Sequence, residues 1–126
     1  MRKRWLLAPL ALAAVAGCET FEETYLIERS DLIDGEGVHV YEDMEEDFFG
    51  SQWFQYTASN SNSFPVCAQV RLEEGASTSG HSMGGAFRVG PGETVDIGYV
   101  NLPAQFRFGT QVWNTRDDGS CGEPPR

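Results

Sequence analysis

From Val66 to Leu72 apolar and polar residues alternate, with Val66, Ala68, Val70 and Leu72 set against Cys67, Gln69 and Arg71. A period of two suits a strand whose side chains point alternately to either face of a sheet; a helix repeats every 3.6 residues or so. The pattern returns in Thr94–Val100, where Val95, Ile97 and Tyr99 share one face. After Pro103, Phe106, Phe108, Thr110 and Val112 alternate with Arg107, Gly109, Gln111 and Trp113. The shorter runs Val38–Tyr41, Gln52–Thr57 and Ala86–Val89 also read as strands. Between them lie turn residues, most plainly Gly90-Pro91-Gly92-Glu93, a polar connection over Ser59–Ser63, and Asp31–Gly37, a turn by composition. Glu42–Asp47 places five carboxylates around Met44 and reads as a solvated loop or the first turn of a helix. Tyr25–Arg29 fits strand and helix spacing equally. Short alternating runs broken by turns about every eight to twelve residues predict a mainly β fold, a small antiparallel β-sandwich, immunoglobulin-like in general character. The tryptophan that such domains bury between a matched cysteine pair is not evident at the expected spacing.

The first residues obey a different logic. Arg2, Lys3 and Arg4 precede an apolar run from Trp5 to Ala16, which ends in Val15-Ala16-Gly17-Cys18. As a helix that run spans about 18 Å, against a hydrocarbon core of roughly 30 Å. A basic start, a short apolar stretch and a small-residue end describe a secretory signal peptide. The stretch resembles the lipobox of bacterial lipoproteins, over these first 18 residues only. Val15 stands where that family most often has leucine. The resemblance implies a diacylglycerol on the sulfur of Cys18, cleavage before it, and acylation of the new amino group. It divides the chain into a signal peptide (residues 1–17), an acylated tether (18–24) and one β-rich domain (25–126). The implied location is the bacterial cell envelope, lipid-anchored and facing the periplasm. Glu19 bears on sorting between the two membranes, with the outer membrane favoured.

Charge narrows the partners. Without residues 1–17 the chain holds six arginines, no lysine and nineteen carboxylates, a formal charge of −13. Phosphate backbones and anionic headgroups repel such a surface, which excludes nucleic acid and leaves membrane attachment to acyl chains on Cys18. An exported chain meets an oxidising compartment, so Cys67 and Cys121 are expected to form a disulfide. Neither has a histidine close in sequence, which argues against a thiol nucleophile or a metal site.

Gly80-His81-Ser82-Met83-Gly84 matches the G-x-S-x-G nucleophile elbow. That elbow needs a buried strand before the serine, a helix after it, and a triad histidine later in the chain. Glu74–Ser79 is too polar for such a strand, Ala86–Gly92 cannot continue a helix, and no histidine follows His81. Copper held by His81 and Met83, with Met44 or His39, lacks a third ligand placed by sequence. Asp31, Asp34 and Glu36 around Gly35 hint at calcium, but the spacing of an EF-hand loop is not met. No catalytic set, metal site or cofactor is therefore expected. The class that fits is a non-catalytic binding, assembly or structural module of a lipoprotein. A small hydrolase or copper-binding protein using residues 75–85 is the competing class. Trp53, Phe54, Tyr56, Tyr99, Phe106, Phe108 and Trp113 exceed what one narrow core face needs, so some of them are candidates for a protein or saccharide contact.

Overall fold

The structure is a computed structural model that describes residues 24–125. The expected signal peptide (residues 1–17), Cys18 and most of the expected tether lie outside the described residues. Nine strands form among the described residues, in chain order: β1 (Thr24–Gly35), β2 (Val38–Asp47), β3 (Gln52–Asn60), β4 (Val66–Leu72), β5 (Ser77–Thr78), β6 (Phe87–Val89), β7 (Thr94–Asn101), β8 (Ala104–Gln105) and β9 (Phe108–Asn114). No helix occurs among the described residues. One sheet has the order β1-β2-β3-β7 and the second β6-β4-β9, with β5-β8 as a small separate pair. All pairings are antiparallel.

The sheets face each other across a core of small and branched side chains. Val38, Val40, Tyr56, Ala58, Ile97 and Val100 come from the first sheet, and Val66, Ala68, Val70 and Val89 from the second. Tyr56 and Phe108 meet across the gap with ring centroids 5.6 Å apart. The alternation in β4 and β9 is thus what buries one face of the second sheet, and the expected β-sandwich architecture is present.

Two segments differ from their sequence reading. The residues Asp31–Gly37 form a turn only at Glu36-Gly37; Asp31–Gly35 complete β1, which also takes in Tyr25–Arg29. Both turn residues have positive φ, 54° and 79°, as a two-residue hairpin requires, and Glu36 is the only described non-glycine residue there. The acidic run Glu42–Asp47 is neither loop nor helix turn but the second half of β2, paired on both sides. Strand pairing uses backbone groups, and the carboxylates stay only partly buried or find partners (Asp43 with Arg29, Glu42 with the Tyr56 hydroxyl), so charge alone did not exclude a strand.

A third correction concerns phase. Tyr99 does not share the core face of Val95 and Ile97: it is exposed, while Val100 is fully buried. Tyr56 pairs with Gly98 and Thr57 with Asp96, which leaves Ile97 as an extra residue. That bulge inverts the alternation beyond it. Gly98 sits there at φ 154°, and a Cβ on it would stand 2.6 Å from the Ser82 carbonyl oxygen.

Candidate functional site

A groove of about 780 Å³ opens at the end of the sandwich where β1 turns into β2. Phe64, Val66 and Trp113 supply apolar wall, and Asp34, Glu36 and Asn62 line its polar side. No basic side chain is among its lining residues. Trp113 is fixed from behind: its indole N–H donates to the Cys121 carbonyl at 2.8 Å. Asn62 is held by its Nδ2, which donates to the Glu36 carbonyl at 3.0 Å. An apolar wall with a carboxylate rim suits a ligand that is partly apolar and neutral or cationic; an anion would be repelled.

Beside the groove, a second bulge in β1 changes which residues share a face. Asp31 pairs with Tyr41, and Ile33 with Val40, so Leu32 is the extra residue. Asp31 and Asp34, three apart, thereby lie on one face with His39, the cross-strand partner of Asp34. Their ligand atoms fall within 4.8 Å of one another, and His39 Nε2 is 2.7 Å from Asp31 Oδ1. Of the calcium set suggested by sequence, the fold brings Asp31 and Asp34 together and substitutes His39 for Glu36. Asp31 and Asp34 are exposed, only Asp31 is hydrogen-bonded to His39, and the two carboxylates make the groove mouth anionic.

The same face continues with an ordered charge pair. Arg29 Nε and Nη2 donate to the two oxygens of Asp43, at 2.6 and 2.8 Å. The guanidinium also lies 4.2 Å from the Tyr41 ring centroid. Asp43 is buried and holds the Arg29 pKa above its ordinary value, chiefly through this hydrogen bond.

The Gly80–Gly85 stretch lies elsewhere. Ser82 N–H donates to the Tyr99 carbonyl and Asn101 N–H to the Gly80 carbonyl, so the segment runs along the free side of β7. Gly84 N–H then donates to the Val70 carbonyl of the other sheet, and Gln69 Nε2 donates to the Gly84 carbonyl. Met83 packs against the core between these ties. The segment stitches two sheet edges together. Ser82 has an isolated bridge before it and β6 after it, not the strand–turn–helix of an elbow. His39 and Met44 are on β2, separated from His81 and Met83 by β3 and β7. The fold does not assemble these four residues as a copper set.

Cys67 and Cys121 are joined, with Cα atoms 5.7 Å apart. Cys67 lies on the outer face of β4, as its alternation indicated, yet it is fully buried. The tail covers it: besides the Trp113 contact, Gln111 Nε2 donates to the Pro125 carbonyl at 2.8 Å. Of the aromatics singled out by sequence, Tyr56 is buried, Phe54, Phe106 and Phe108 pack on the core, and Tyr99 is exposed. The groove's Phe64 and the strongly exposed Phe48 and Phe49 escaped sequence reasoning, because they stand in connections without periodicity. Comparison with protein-family models, with curated proteins and with solved structures finds no match to this chain.

Proposed function

We propose that this chain is a bacterial lipoprotein held to the envelope by acyl chains on Cys18. In this reading it faces the periplasm, with the outer membrane favoured, and its sandwich is a non-catalytic binding or assembly module. The observation that carries the binding role is the open groove between Phe64 and Trp113, backed by the Cys67–Cys121 bond and rimmed by carboxylates. A saccharide ring stacked on Trp113, or an apolar segment of a protein with a basic side chain, matches that chemistry. The disulfide agrees with an exported chain. The register of Val15-Ala16-Gly17-Cys18 after a basic, apolar leader supports the anchor.

Three measurements test the reading. A fatty-acid analogue should label the wild-type chain and not Cys18→Ser; equal labelling removes the anchor. A photo-reactive side chain placed at Phe64 in living cells should give a discrete adduct that the same probe at Asp117 does not. Adducts that fail to depend on position would remove the groove as the binding surface. A fluorophosphonate probe should leave Ser82 unmodified, and labelling there would restore the hydrolase.

A further inference from the structure

Phe49 is 82% and Phe48 60% exposed, the two most exposed large apolar side chains among the described residues. They sit on the turn between β2 and β3, at the opposite end of β2 from the groove. The turn is closed by its own hydrogen bonds. Asp47 Oδ1 accepts from both Phe49 N–H and Ser51 N–H at 2.9 Å, and Gly50 N–H donates to the Asp47 carbonyl. The two rings stack edge to face on each other, 5.4 Å between centroids. Beside them β1 begins, with Thr24 paired to Asp47. Tyr25, Leu26 and Ile27 follow, each about half exposed, so five consecutive or neighbouring apolar side chains share this end.

A turn whose own hydrogen bonds present two phenyl rings to solvent calls for an occupant. The length of chain before Thr24 indicates which. Thr24 is six positions after Cys18, a reach of at most about 20 Å even when fully extended. We infer that Phe48 and Phe49, flanked by Tyr25–Ile27, seat in the headgroup–acyl boundary of the bilayer to which Cys18 is attached. This rests on the lipoprotein reading above. Apolar rings bury favourably at that depth, and the acyl anchor supplies the proximity that two phenylalanines alone would not hold. The acidic chain selects a zwitterionic surface over an anionic one. Seated this way, the groove at the far end of the sandwich faces away from the membrane.

The test uses the acylated chain in phosphatidylcholine vesicles with brominated acyl chains. Phe49→Trp should add emission that is blue-shifted and quenched by bromine, whereas Phe64→Trp at the groove should add emission that is not. Equal quenching at the two positions overturns the inference. Labelled Cys18 with an unquenched Trp at position 49 overturns the seated turn alone. Unlabelled Cys18 overturns the lipoprotein reading. The chain from Cys18 onward, coupled through that thiol to a maleimide lipid, then decides the turn separately by the same quenching. Phe48→Ser with Phe49→Ser should leave thermal stability unchanged and weaken vesicle retention of a singly acylated chain roughly ten- to a hundredfold. Unchanged retention, or a dimer of the chain from residue 19 that this double variant dissolves, assigns the rings elsewhere and overturns the proposal.

Discussion

Asn60 joins the two sheets with one side-chain amide. Buried at the end of β3, it donates from Nδ2 to the Phe64 and Val89 carbonyls at 2.8 and 3.1 Å, and accepts from Asn62 N–H. Asn60→Ala removes the side-chain donor from the buried Val89 carbonyl and the partly buried Phe64 carbonyl, and should cost about 1–3 kcal/mol. Chemical denaturation measures this, and a loss below about 0.5 kcal/mol would remove the staple role. Glu45 has the opposite sign. Partial burial first, and then Asp43 and Asp96 nearby, push its carboxyl above the ordinary value of 4.5. The folded chain thus binds this proton more tightly than the unfolded one, so stability falls as pH rises from about 4.5 through the raised pKa. Glu45→Gln should therefore raise the melting temperature at pH 7, by about 1–3 °C. The gain should vanish near pH 4, where the wild-type carboxyl is protonated. A variant no more stable than wild type at pH 7 contradicts this.

Among the elements, the tail after β9 depends most on one bond. It has little apolar surface, and it lies on the outer face of β4 and β9 through the disulfide and two side-chain-to-carbonyl hydrogen bonds. The bridged cysteines are 54 positions apart, and closing such a loop stabilises the fold by about 4 kcal/mol on chain-entropy grounds. Replacing both, Cys67→Ala with Cys121→Ala, should lower the melting temperature by more than about 10 °C. Amide exchange should speed up in residues 115–125 and hold steady in β2 and β3. Uniform loss of protection would show that the bond supports more than the tail. The strands that this tail covers were also the most legible in the sequence. In β4 and β9 an unbroken alternation states which face is buried, and the fold class follows from it. Legibility failed where register slips. The bulges at Leu32 and Ile97 reverse the phase of β1 and β7, and pattern reading carries no information on an extra residue until its partner strand is known. The groove was illegible for a related reason. Phe64, Trp113 and Asp34 are distant in sequence and converge only when the two sheets stack. Asp31, Asp34 and Glu36 gave a local hint and Trp113 stood among the aromatic candidates, but no pattern joined them, and His39 comes from across the hairpin.

At the scale of the whole molecule the charge is unevenly placed. Nine of the nineteen acidic residues fall between Glu28 and Asp47, where Arg29 and His39 are the only basic side chains. The second sheet and its flanks carry Arg71, Arg88, Arg107 and Arg116. The β1–β2 hairpin thus concentrates like charge on a two-stranded edge, relieved by the Arg29–Asp43 fork. Repulsion within it opposes folding, because the unfolded chain spreads the same charges further apart. Added salt shortens the screening length from about 30 Å at 0.01 M to about 8 Å at 0.15 M, comparable to the spacing of alternate carboxylates along a strand. Thermal stability should accordingly rise over that range of sodium chloride, the reverse of what a domain held by surface ion pairs would show. The gain should be smaller in Glu45→Gln, which removes a charge from the crowded hairpin, than in Asp117→Asn, which removes one from the exposed tail. A melting temperature that stays level or falls with salt would show that the acidic hairpin is already neutralised by its own contacts. An equal gain in the two variants would show that net charge, and not its concentration on β1 and β2, sets the response.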